Sequence, residues 1–165
     1  ISDQACTWGN NMLFGMDGNG EIKFRTATYY GARLLTESWA QPSDARLEVF
    51  HATSDVHDSE GNALVTAYAL RRSDARWSLM IINKDPQRAF DINLKIVNTE
   101  SGESSSLKLP ADFYQFSKDQ YIWKADRANS HPTRSLPPVH KILHSESDAK
   151  IHLPPYSLTV VREGN

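Results

Sequence analysis

Apolar positions recur along this chain with two different periods, and the change falls at Pro42. Between residues 23 and 40 the side chains Phe24, Ala27, Tyr30, Leu34, Leu35 and Trp39 follow one another at spacings of three and four. That is the stripe of one helix face, and Pro42 closes it because the residue before a proline is pushed out of helical geometry. Thr26, Thr28 and Thr36 lower the intrinsic propensity of the segment. Its stability must therefore come from packing the aromatic stripe on a neighbouring surface. Upstream, residues 5–9 (Ala-Cys-Thr-Trp-Gly) are small and apolar enough for the end of a buried strand, and Gly15, Gly18 and Gly20 mark a loop between that strand and the helix.

Beyond Pro42 the period becomes two, with turn residues every 8–12 positions. Residues 46–53, 63–72, 76–84, 89–98, 105–109, 112–117 and 156–162 read as strands. Ser73-Asp74-Ala75 is a short hairpin connection, Asp85-Pro86 ends a strand because proline cannot donate to a ladder, and Ser101-Gly102 is a turn. Phe90, Ile92, Leu94 and Ile96 share one face. Residues 129–138 carry prolines and little periodicity and read as a long loop. The expected fold is mainly β: an antiparallel β-sandwich of about seven or eight strands, preceded by a strand–loop–helix segment. The division falls between residues 1–41 and 42–165.

Composition narrows the functional classes. Among 165 residues, 39% are hydrophobic and 23% charged, which excludes a disordered, collagen-like or fibrous chain. No apolar run approaches the ~18 residues of a transmembrane helix. Eighteen basic against twenty acidic residues give a net charge of -2, so there is no electrostatic case for nucleic acid or an anionic membrane as partner. Cys6 is the single cysteine, which rules out an internal disulfide framework. The sequence opens at Ile1 with neither an initiator Met nor a signal peptide, and the expectation is a chain cut from something longer.

Candidate chemistry is sparse. Asp17, Asn19 and Glu21 place oxygens at alternate positions, and Asp55, Asp58 and Glu60 form a second acidic turn, but neither has the long loop and distal glutamate of an EF-hand. His140 and His144 are four apart, beyond Pro137 and Pro138 in a segment without helical pattern, and read as loop histidines rather than zinc ligands. His51 and His152 fall in strand patterns. No phosphate-cradling glycine motif or Gly-x-Ser-x-Gly elbow is present, and Cys6 reads as buried and structural. No catalytic residue, metal site or cofactor is expected. The aromatic residues are more informative: Tyr114, Phe116, Tyr121 and Trp123 fall within ten positions, and Trp8 sits at a predicted strand end. An exposed aromatic face binds a sugar ring through apolar contact; a buried one serves core or interdomain packing. Tyr121 and Trp123 are the candidate carbohydrate contacts, while Trp39 and Trp77 read as core.

Three stretches, Trp8-Gly9, Phe14-Gly15-Met16-Asp17-Gly18 and the run from Thr28-Tyr29-Tyr30-Gly31 to Trp39-Ala40, resemble the last βα unit of a (β/α)₈ glycosidase. Leu79-Met80-Ile81-Ile82-Asn83-Lys84-Asp85, Tyr114-Gln115-Phe116-Ser117 and the closing Leu153-Pro154-Pro155-Tyr156-Ser157-Leu158-Thr159-Val160-Val161 resemble the C-terminal sandwich of retaining glycoside hydrolases, in the broad group of families 39, 51, 30 and 79. The resemblance implies that residues 1–41 are the last barrel segment and residues 42–165 the accessory sandwich, and that Trp8, by position, is the aromatic lining the sugar-binding subsite at the end of the last barrel strand. It also implies that the catalytic glutamates lie upstream, since no Asn-Glu dipeptide occurs in the chain. The partner would be the upstream catalytic barrel, in the same gene product or a separate chain, with carbohydrate as a ligand. A free-standing carbohydrate-binding sandwich is the alternative.

Overall fold

The period of two downstream of residue 46 builds antiparallel strands, and the chain is mainly β. A computed structural model describes residues 12–40, 46–145 and 150–164. A hairpin of β1 (Phe14–Met16) and β2 (Ile22–Arg25) leads into α1 (Ala27–Arg33), which continues with π-type hydrogen bonding over Leu34–Trp39. There follow β3 (Leu47–Phe50), β4 (Val65–Arg72), β5 (Trp77–Asn83), β6 (Phe90–Asn93), β7 (Ile96–Val97) and β8 (Ser104–Ser105). The described strands end with β9 (Ala111–Phe116), β10 (Tyr121–Lys124), β11 (His131–Ser135), β12 (Val139–Leu143), β13 (Lys150–Leu153) and β14 (Ser157–Glu163).

Six of these strands form one antiparallel sheet in the order β12-β9-β14-β5-β4-β3. Side chains alternate across it, so β5, β9 and β14 each feed two different cores. One face carries Val65, Ile81, Ala111, Phe113, Leu143 and Val161, and meets Ile151 and Leu153 of β13 with Phe90 and Ile92 of β6. This is the sandwich core. The other face carries Met80, Phe116 and Val160 and meets Tyr30 and Leu34 of the helix. The inner strands of the six-stranded sheet are thus a middle layer, covered on both sides, while the margin strands β3 and β12 stay largely exposed. Burying each large apolar side chain contributes roughly 1.5–3 kcal/mol.

The helix begins later than its stripe suggests. Thr26, in extended geometry (φ -88, ψ 167), is the N-cap: its hydroxyl accepts the Tyr29 amide at 3.4 Å and donates to the Met12 carbonyl at 2.6 Å. Phe24 therefore lies on β2, where Ile22-Lys23-Phe24-Arg25 alternates as a strand, and its three-residue spacing from Ala27 was no helical signal. At the far end, Ala40 N–H bonds the Leu35 carbonyl at 2.9 Å, the wide i→i+5 closure of a π-turn. Here Trp39 Nε1 donates to the Ser78 carbonyl at 3.2 Å, and Ser78 Oγ returns a bond to the Trp39 carbonyl at 2.8 Å. The helix end is thereby fastened to β5.

Strands 63–72, 76–84, 112–117 and 156–162 appear within a residue or two of expectation, and the 73–75 hairpin closes with Ala75 at φ 63. Gly102 takes φ 71 in the expected turn, a conformation that suits glycine. Residues 89–98 split into β6 and β7, and 105–109 keeps only a two-residue ladder at Ser104–Ser105. The proline loop of 129–138 is a correction. Half of it, His131–Ser135, is β11, paired with β10 in a two-stranded ribbon where Pro132 lies on an edge and costs little ladder bonding. His140, expected in a loop, is in β12 at the sheet margin. The strand expected at residues 5–9 lies outside the described residues.

Candidate functional site

Tyr121 and Trp123 sit two apart on β10, with a register shift against β11 between Ile122 and Trp123, and they have different fates. The Tyr121 ring packs against Phe116 (centroids 6.0 Å apart) and Tyr30 (6.3 Å). Its hydroxyl is buried against the Ala27 amide at the start of α1 without a well-formed hydrogen bond, and burial raises its pKa above the ordinary phenol value. Trp123 lies farther out, 43% exposed, with its edge against Phe24 of β2 at 5.7 Å. Phe24 in turn lies over Gly15 on β1, where an added Cβ would stand 2.2 Å from the ring. Trp8, the third candidate, lies outside the described residues.

These rings belong to a longer seam. Phe14 meets Tyr29 (5.3 Å), Tyr29 meets Tyr30 (5.3 Å), and Tyr30 lies against Phe116 (5.1 Å). The Tyr30 hydroxyl is 3.1 Å from Ser135 Oγ on β11. Arg25 and Arg33 flank the Tyr29 ring. Such pairs contribute about 0.5–1.5 kcal/mol each beyond area burial, so the seam ties hairpin, helix, sheet and ribbon together. The aromatic cluster noted in the sequence is chiefly this joint, and Trp123 is its exposed end.

A second cluster sits at the sheet margin. His140 Nε2 and Asp112 Oδ1 are 2.8 Å apart, and the imidazole stacks on Tyr114 at 4.3 Å with 8° between planes. Burial, then the Asp112 charge, raises the Tyr114 pKa. Tyr114 and His140 border a cleft of about 270 Å³ between the helix and the sheet margin, completed by Arg33, Glu37 and the Pro137-Pro138 corner. Arg33 grips Glu37 Oε2 through Nε (2.9 Å) and Nη2 (2.6 Å). The sequence pattern missed this grouping, because Asp112, Tyr114 and His140 meet only through the β9–β12 register, which pairs His140 with Tyr114.

The acidic turns are occupied by their own backbones. Asp17 Oδ1 accepts the amides of Asn19 (2.9 Å) and Glu21 (3.0 Å). Asp58 accepts the Asn62 side chain at 3.0 Å and the amides of Asn62 and Glu60, which hold its carboxyl below the usual range. Among the described residues, no three His, Cys, Asp or Glu side chains group to hold a metal ion, and no helix is long and apolar enough to cross a membrane. His152 Nδ1 is 2.7 Å from Asp91 Oδ1, a bond that lowers the Asp91 pKa, while His51 lies exposed beyond β3. No protein-family model matches the chain, and no curated protein matches it.

Proposed function

We propose that the chain is the non-catalytic C-terminal part of a glycoside hydrolase, in which hairpin, helix and sandwich pack as a unit on a (β/α)₈ catalytic barrel and stabilise it, with Trp123 lending an aromatic face to sugar. The observation that carries the reading is the two-sided helix. Tyr30, Leu34 and Ser38 are buried on the sheet, whereas Thr28, Ala32 and Leu35 face away from it, and Leu35 is 38% exposed. Thr28 and Ala32 are small, and with the exposed Leu35 beside them they suit close approach by another helix. Tyr121 is committed to the seam, which leaves Trp123 as the aromatic on β10 with surface to offer.

The test is activity by parts. The 165 residues alone hydrolyse no aryl glycoside, and the same residues supplied with the upstream barrel do. Turnover by the 165 residues alone overturns the reading. A free-standing carbohydrate-binding sandwich is the second reading, favoured by the same exposed Trp123. It requires saturable quenching of tryptophan fluorescence by a soluble polysaccharide, lost in Trp123→Ala.

A further inference from the structure

We propose that the cleft between the helix and the β9–β12 margin binds a single neutral pyranose ring, either free or at the end of a glycan chain. This is separate from the Trp123 surface and does not rest on the glycosidase reading. Size comes first: about 270 Å³ lies just below the ~300–1,000 Å³ typical of drug-sized ligands, so the cleft takes one small ring rather than an extended molecule. Its walls set the shape. Pro137 and Pro138 offer apolar surface beside the stacked Tyr114–His140 pair on the sheet side, and Arg33, Glu37 and the almost wholly buried Leu34 line the helix side. A ligand with apolar faces and polar edges fits between them.

Charge selects among such ligands. Arg33 and Glu37 line the cleft together and are already bonded to each other through two short contacts. An anion would face the Glu37 carboxylate and a cation the Arg33 guanidinium, and either would have to break an ion pair to gain one. A neutral ring bearing vicinal hydroxyls leaves the Arg33–Glu37 pair in place. Guanidinium carries five N–H donors and a carboxylate about four acceptor sites, so hydroxyls can donate to Glu37 and accept from Arg33 while the pair stays intact. His140 is held for the same work. Its Nε2 is bonded to Asp112, its ring is set by Tyr114, and Nδ1 is the remaining polar edge of the imidazole. The polar groups thus come from rigid elements, α1 and paired strands, and are oriented before any ligand arrives.

The experiment is an amide and imidazole NMR titration of the 165-residue chain with glucose, galactose, mannose and xylose to ~100 mM, and with trisaccharides ending in the same sugars, a range set by millimolar affinity. Expected are saturable shifts at Arg33, Glu37 and His140 with at least one of these sugars. Glu37→Gln and His140→Ala each weaken binding ~10-fold or more, the loss of about one good hydrogen bond, and Trp123→Ala leaves it unchanged. Both substituted side chains are about half exposed, 56% and 47%, so folding is preserved. A trisaccharide binding tighter than its monosaccharide assigns the cleft to a glycan end; equal affinity assigns it to free sugar. No saturable shift with any sugar overturns the proposal. So does binding that survives both variants, or a response to acetate or ammonium ions in place of sugar.

Discussion

Replacing Asn83 with Asp changes one NH₂ into one oxygen, and the surroundings make that change decisive. Asn83 ends β5 with 1% of its surface exposed. Its Nδ2 faces the carbonyls of Arg88 (2.9 Å), Leu153 (3.1 Å) and Pro154 (2.8 Å), and its Oδ1 accepts the Asp85 amide at 2.9 Å. Three acceptors converge where a carboxylate would carry charge, so the introduced group is stable there only when protonated. Its native pKa then lies above the unfolded value of ~3.9, and the native state holds a proton that the unfolded state releases. Stability relative to wild type is therefore best below pH ~3.9 and falls by about 1.4 kcal/mol per unit as pH rises towards the native pKa. Should that pKa reach ~7, the cost at neutral pH is on the order of 4 kcal/mol, a large share of a typical total of ~5–15. Asn83→Ala provides the comparison. It leaves the Asp85 amide unmet, about 1–3 kcal/mol, and loses roughly 1 kcal/mol for each further bond, with no dependence on pH. Urea unfolding at pH 4, 5, 6 and 7 measures all three proteins. If Asn83→Asp and wild type run parallel across that range, the convergence of carbonyls on this side chain is not the anchor described here.

Other perturbations act on neighbouring joints. Glu163, 1% exposed, accepts the Trp77 amide through Oε2 (2.9 Å) and the Lys108 amide through Oε1 (2.7 Å); urea midpoints should fall in the order wild type, Glu163→Gln, Glu163→Ala, with about 1–3 kcal/mol for each amide left unmet. Equal midpoints for the two variants would contradict that ordering. Gly15→Ala drives a methyl into the Phe24 ring and costs about 1–3 kcal/mol; the Trp123 indole signal should shift and its quenching by acrylamide rise, and an unmoved indole would mean Phe24 does not support it. The Asp85 carboxyl is held below its ordinary value by the Arg88 and Gln87 amides and the Arg88 side chain. That contribution is present above the unfolded pKa and is lost as pH falls through the lower native one, so acid unfolding of Asp85→Asn should begin from a lower stability and fall less steeply than wild type.

Where a strand is buried, its sequence announces it. β4, β5, β9 and β14 lie inside the six-stranded sheet, and each carries the apolar residues that burial demands. β10, β11 and β12 are ribbons or margins, with Lys124, Arg134 and Lys141 among residues facing solvent, so no apolar period marks them. Phe24 misled because a four-residue strand and the first turn of a helix share too few positions to tell apart. The site divides in the same way. That Tyr121 and Trp123 belong to an aromatic cluster is visible in their spacing, but which one the helix covers depends on tertiary packing. His140 and Asp112 stand 28 positions apart, and only strand register makes them neighbours.

β14 lies between β5 and β9, with six residue pairs to each. Without it the sheet is two separate rafts: the meander β3–β4–β5, and the pair β9–β12. Each raft would end in a raw edge of unpaired amides and carbonyls, and the two edges are meant for the same strand. β14 is the keystone, and it comes last of the six in chain order. A ribosome has delivered every other strand of this sheet before the one that unites them, so the nascent sheet waits with both edges open. Until residues 157–163 arrive, those edges fit any strand of the right pattern, including β14 of a neighbouring chain.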